Sequence, residues 1–148
     1  MVIALDLDGT IASLYSVPSW LEKLRAEDVT PYIDAAPMVD CDELESVLRA
    51  LRMRGHTVEV VSWNCGGSPS KEYAREVRRA KVEWLKRHGI HVDSVHVVKH
   101  GTPKQRVVRG HGVLFDDEKP NRDAWEASGK GVAFDAVDLV RNLASLLS

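Results

Sequence analysis

The chain has 148 residues, 44% of them hydrophobic and 28% charged, and a formal net charge of −2. That length supports one domain, residues 1–148, with a sizeable core, and the near-neutral balance excludes a chain-wide pull toward nucleic acid or membrane. Cys41 and Cys65 form no CxxC pair, which excludes a zinc ribbon or disulfide framework, and no signal-peptide pattern or membrane-length apolar run is visible, so a cytoplasmic protein is expected.

The chain opens MVIALDLDGTIAS, in which Val2, Ile3, Ala4, Leu5 and Leu7 read as a strand buried on both faces, as in parallel sheets. Alternation puts Asp6 and Asp8 on one side of it. Two carboxylates held that close repel unless a cation sits between them. An irregular insertion follows over 14–39, with Pro18, Pro31 and Pro37 and one short helix in SWLEKLRAE. In DCDELESVLRALRMRG, Leu44, Val47, Leu48 and Leu51 have the spacing of an amphipathic helix. Asp40 and Glu43 make a capping box and Gly55 a stop. TVEVVS (57–62) is a second strand and SPSKEYAREVRRAKVEWLKRHG a long helix ending at Gly89.

SVHVV (94–98) is a third strand. In TPKQRVVRG, Thr102 as N-cap, Pro103 at the first position and Gln105 completing a capping box predict a short helix with Lys104 in its first turn. A cation there is disfavoured by the macrodipole by ~0.3–1 kcal/mol, unless an anion docks beside it. GVLFDD (112–117), PNRDAWEASG, GVAF (131–134) and VDLVRNLASLL supply strand, helix, strand and closing helix. Such alternation predicts an α/β fold, a five-stranded parallel sheet between helical layers. Ligands bind such sheets at the carboxyl ends of the strands. Asp6, Asp8, Ser62, Asp116 and Asp117 therefore fall on one rim, with Lys99 and Lys104 after strand three.

At these residues the chain resembles the haloacid dehalogenase superfamily of phosphohydrolases. The four signatures read DLDGT (6–10), VVS (60–62), TPK (102–104) and LFDD (114–117), in the family's order. An EF-hand reading fails, because counted from Asp6 position six is Ile11 rather than Gly and position twelve is Val17 rather than Glu. The resemblance implies a Rossmann-like three-layer α/β/α fold, here with the 14–39 insertion as a minimal cap, and an aspartyl-phosphate mechanism. Asp6 would be the nucleophile and Asp8 the general acid–base, with Mg²⁺ held by Asp6, Asp116, Asp117 and the carbonyl of Asp8. Lys104 would complete the catalytic set. Ser62 and the backbone amide of Trp63 would bind the substrate phosphate.

The deoxyribonucleotidases of this superfamily carry a Lys-x-x-Trp helix and a lysine before the double acid. KVEWL (81–85) and KQRVVRGHGVLFDD (104–117) resemble these, which makes Lys81 a second phosphate contact. A plainer reading has Lys81 snorkelling over the core beyond Val77. A Mg²⁺-dependent nucleotidase is thus expected. Phosphatases of polynucleotide repair enzymes share much of the pattern, and the helix from Lys71 to His88 has seven Lys or Arg against three Glu, so processing of DNA or RNA ends is the alternative. A non-catalytic module with this fold is a second alternative, disfavoured by the clustered acids. Tyr15, Trp20 and Tyr32 in the insertion are candidates for stacking on a base.

Overall fold

The computed structural model describes all 148 residues. Five strands form one sheet: β1 (Val2–Leu5), β2 (Thr57–Trp63), β3 (Ser94–Val98), β4 (Gly112–Phe115) and β5 (Ala133–Phe134). All pairs are parallel and the order is β3-β2-β1-β4-β5. The chain moves outward from β1 through β2 to β3, then returns to β4 on the other side of β1. The β1–β4 seam is therefore the topological switch point, where a crevice opens at the carboxyl ends of the strands.

Six helices accompany the sheet: α1 (Trp20–Arg25), α2 (Thr30–Asp34), α3 (Cys41–Met53), α4 (Lys71–Arg87), α5 (Lys119–Ala127) and α6 (Leu139–Ser145). Strand alternation sorts the core into two layers. Ile3, Leu5, Val58, Val60, Val113 and Phe115 meet Leu44, Leu48 and Leu51 of α3 and Leu139 and Leu143 of α6 on one face. Ala4, Val61 and Leu114 meet Trp125 of α5 and Val108 on the other. Each fully buried leucine contributes roughly 1.5–3 kcal/mol relative to exposure. No helix is long and apolar enough to cross a membrane.

Local signals explain the helix ends. The Asp40 carboxylate accepts from the amides of Asp42 and Glu43, both at 3.0 Å, although Glu43 returns no bond, so half of the expected capping box forms. Ser70 caps α4 by accepting from the Tyr73 amide at 3.1 Å. The expected helix in TPKQRVVRG is only a 3₁₀ turn, Lys104–Arg106. Thr102 turns its hydroxyl back to the Lys99 carbonyl at 2.7 Å and caps nothing. Lys104 is therefore not held against a helix dipole.

The 14–39 insertion contains a 3₁₀ turn (Leu14–Ser16), α1 and α2; the proline-rich sequence hid α2. Leu14, Leu24 and Tyr32 pack on Tyr73, Val77 and Ala80 of α4. Polar ties reinforce this. The Tyr73 hydroxyl donates to the Asp28 carbonyl and the Trp84 indole to the Ala35 carbonyl, both at 2.8 Å, while Ser70 donates to the Glu27 carboxylate through its amide and hydroxyl. The insertion forms a fixed wall beside the carboxyl ends of the strands.

Candidate active site

β1 stops at Leu5, one residue before the first acid, and the chain then turns so that Gly9 donates to the Ala12 carbonyl and Thr10, Ile11 and Ala12 all donate to that of Leu7. Gly9 sits at φ +84°, and a Cβ there would lie 2.5 Å from Asp117 Oδ2 and 2.9 Å from the Tyr15 ring. Glycine is required both by the backbone and by the space. The turn separates the two acids. Asp6 points to the β1–β4 seam and Asp8 to α4, so they are not the mutually repelling pair that strand alternation predicts.

Each acid instead has its own buried ammonium group. Lys104 Nζ lies 2.7 Å from Asp6 Oδ1 and 2.7 Å from Asp116 Oδ2. Lys81 Nζ lies 2.8 Å from Asp8 Oδ2 and donates to Ser62 Oγ and the Trp63 carbonyl, both at 2.6 Å. Lys81 is 1% exposed and does not snorkel to solvent. By taking the Lys81 hydrogen bond on its oxygen, Ser62 is left with its own proton to donate. Tyr32, expected as a stacking surface, is buried, with its ring centroid 5.0 Å from Lys81 Nζ. The Trp63 indole donates to the Thr102 carbonyl at 2.8 Å, tying the end of β2 to the Lys104 segment. Lys99 is exposed and takes no part in this network.

Asp6, Asp116 and Asp117 bring carboxylate oxygens within 4.8 Å of one another. Thr10 Oγ1 lies between them, 3.0 Å from Asp6 Oδ2 and 3.3 Å from Asp117 Oδ1. Asp116 is fully buried and also accepts from the Glu118 amide at 2.9 Å and from Asn121 Nδ2 at 3.1 Å. Sequence reasoning singles out neither Thr10 nor Asn121 as a site residue. Thr10 stands inside DLDGT and could have been found there. Nothing local marks Asn121, which reaches the acids only because α5 starts where it does.

Burial, followed by hydrogen bonding and charge repulsion from Asp6, pushes the Asp117 carboxyl up to about 7. Burial and the Asp6 charge also raise Asp116. Burial opposes the charge on Lys104, but Asp6 and Asp116 outweigh it and hold its ammonium above the ordinary lysine value. With all acids ionised, three carboxylates face one ammonium, an excess of two negative charges among hard oxygen donors. That donor set fits Mg²⁺. Asp6, Asp116 and Asp117 could hold it, together with the Asp8 carbonyl, to which no backbone amide donates. The Asp8 carboxylate lies outside the cluster, on Lys81.

The raised Asp117 makes stability depend on pH. The folded protein holds a proton on this carboxyl up to about 7, whereas the unfolded chain releases it near the ordinary value of 3.8, so the folded state binds more protons between those values. Metal-free stability from this group therefore falls as pH rises from about 4 to 7. In EDTA, Asp117→Asn should gain thermal stability relative to the unsubstituted protein on going from pH 5 to pH 8, and Mg²⁺ should stabilise the unsubstituted protein more at pH 8. Melting curves at both pH values check this; a Mg²⁺ shift no larger at pH 8 contradicts it.

Asp6, Asp8, Ser62, Trp63, Lys104, Asp116 and Asn121 open into one cleft of about 540 Å³, whose outer wall carries Tyr15, Trp20 and Arg25 of the insertion, while Thr10 and Asp117 line a separate concavity. Tyr15 and Trp20 meet edge to face, centroids 5.0 Å apart at 71°. No protein-family model matches the chain, and no curated protein matches it. Among solved structures, it is similar to a chain in the structure of the Pnkp1/Rnl/Hen1 complex, with TM-score 0.57 and 17% identity, covering 91% of this chain and 44% of that one. It is also similar to the D,D-heptose 1.7-bisphosphate phosphatase of B. bronchiseptica, solved with magnesium and phosphate, with TM-score 0.54 and 15% identity over 89% of this chain and 77% of that one. This chain thus spans less than half the length of the first and about three quarters of the second. Strand order and these likenesses agree on the fold, a five-stranded parallel sheet between helical layers with its strand-end motifs on one rim.

Proposed function

We propose that this chain is a Mg²⁺-dependent phosphomonoesterase acting on nucleotides. The observation that carries the reading is the bridging of Asp6 and Asp116 by one buried lysine, with Asp117 alongside and two negative charges left over. The second structural neighbour's magnesium and phosphate support the metal and the reaction class. A bound Mg²⁺ supplies the positive charge that lets a carboxylate approach an anionic phosphoryl group.

Asp6 attacks phosphorus through a carboxylate oxygen. An Oδ–P bond forms, the ester P–O bond breaks, and the leaving alkoxide takes a proton from Asp8. Asp8 then removes a proton from water, which attacks the aspartyl-phosphate and releases inorganic phosphate and Asp6. Lys81 positions Asp8 for this work by holding it on the α4 side, away from the other acids. The hydroxyl of Ser62 and the amide of Trp63 bind the transferred group, with the ammonium group of Lys104, which keeps one N–H uncommitted; Lys81, its three N–H groups spent on Asp8, Ser62 and Trp63, holds that cradle in place.

The transferred group is common to all phosphomonoesters, so preference must come from the leaving-group wall. Tyr15 and Trp20 supply an aromatic surface suited to a base, and stacking contributes ~1–3 kcal/mol per base. Trp20→Ala should lower the preference for nucleoside monophosphates over sugar phosphates roughly ten-fold. Phosphate release from a panel of mononucleotides, sugar phosphates and phosphorylated oligonucleotides, with Mg²⁺ or EDTA, tests both levels. No Mg²⁺-dependent release would refute the phosphatase reading. Release without nucleotide preference would refute the substrate class.

A further inference from the structure

A second concavity, of about 710 Å³, adjoins the cleft and shares its lip: Asn64, Cys65, Gly67 and His100 line both. Its floor is the start of α4 and the end of β3, which bring Arg75, Arg78 and Lys99 to one groove. No acid lines it, although the chain carries 22 acidic residues and a net negative charge. None of the three cations is ion-paired: every salt bridge in the molecule lies elsewhere. Arg78 spends one donor on the Val97 carbonyl at 3.0 Å and Arg75 one on the Lys71 carbonyl at 3.3 Å. A guanidinium has five donors, so both keep most of theirs for a ligand. At the lip, the His100 ring stands 4.8 Å from that of Trp63.

Unpaired cations in an acid-free trough, opening at one end onto a phosphate-cleaving cleft, are suited to a chain of phosphates. From this we infer that the nucleotide hydrolysed is the terminal one of a single-stranded polynucleotide, whose following phosphodiesters lie in the Arg75–Arg78–Lys99 groove. The inference rests on the phosphomonoesterase reading for the chemistry and deepens its substrate class. It assigns to the groove what a mononucleotide cannot use. A free nucleotide fills the cleft alone, whereas a strand adds about three further ion pairs and releases the counterions they displace.

Binding is measured without turnover by fluorescence anisotropy, using Asp6→Asn and a labelled eight-nucleotide single strand bearing a terminal phosphate. The strand should bind at least ten-fold tighter than the matching labelled mononucleotide. Its affinity should fall with salt on a log–log slope of about −2, that is ~0.7 for each of three phosphates. Arg75→Ala/Lys99→Ala in the same background should flatten the slope by about 1.4. In the active protein, the same pair should lower the ratio of kcat/KM for the strand over the mononucleotide. A strand that binds no tighter than the mononucleotide, or a slope unmoved by the double substitution, overturns the groove assignment. Hydrolysis is read separately on the mononucleotide and p-nitrophenyl phosphate. If both are inert while strand binding responds as stated, the enzymatic reading fails and the groove stands; if both are hydrolysed and strand binding does not respond, the reverse holds.

Discussion

Asp6→Asn should abolish phosphate release, by on the order of 10⁴-fold or more, the scale seen when a covalent nucleophile is removed. An amide oxygen is a poor nucleophile, and no neighbouring carboxylate can replace it. Asp116 is fully buried, Asp117 lines the concavity beside the cleft rather than the cleft itself, and Asp8 is held on Lys81. The fold should survive. With the oxygen of the new side-chain amide toward Lys104, its nitrogen can donate to Thr10 Oγ1, whose proton is then free for Asp117 Oδ1, already 3.3 Å away. Every buried group keeps a partner. The substitution also removes one of the two excess negative charges, so metal-free stability should hold or rise, and the gain should shrink in Mg²⁺. Phosphate release and thermal melts on the same preparation check both halves. More than a few per cent of residual activity would remove Asp6 from the nucleophile's role.

The sheet was legible because each strand is an apolar run that ends on a polar residue, and its parallel order followed from the helices between strands. Leu44, Leu48 and Leu51 fall on the core side of α3, as their spacing required. Failures cluster where side chains compete with local signals. Thr102, Pro103 and Gln105 look like a helix start, yet the Thr102 hydroxyl satisfies the Lys99 carbonyl instead, and burial of Lys104 between two acids outweighs any cap. Period-two alternation put Asp6 and Asp8 on one face, but the strand ends before both, and the Gly9 turn directs them to different lysines.

Lys81 shows the limit most plainly. Its position one turn beyond Val77 is equally compatible with an exposed amine and a buried one. Only the arrival of Asp8 and Ser62 from two other strand ends decides between them, a long-range fact with no local signature. Tyr32 is the converse. An aromatic residue in an insertion suggests an exposed face, but packing of the insertion on Tyr73 and Val77 buries it.

Lys104→Met should be the most damaging single change to stability, and it should slow turnover as well. Lys104 is 3% exposed and provides the one positive charge on the carboxylates of Asp6 and Asp116. Methionine keeps most of the volume, so the loss is electrostatic. Breaking a buried pair by removing one partner typically costs about 3–5 kcal/mol, because the remaining charge stays buried without compensation. Here two acids are stranded, and both must be protonated or neutralised for the fold to persist. Mg²⁺ should therefore raise the melting temperature of Lys104→Met more than that of the unsubstituted protein. Mononucleotide turnover should still fall by about 10²–10³-fold, the usual effect of losing one preorganised charge at a reacting centre. Lys99→Ala is the comparison. That side chain is exposed and unpaired, so its loss should change stability by less than ~0.5 kcal/mol and should cost far less mononucleotide turnover. Melting curves with and without Mg²⁺, and initial rates on one mononucleotide, decide the matter. Were Lys99→Ala the inactive variant and Lys104→Met the active one, the lysine assigned to the site would be the wrong one.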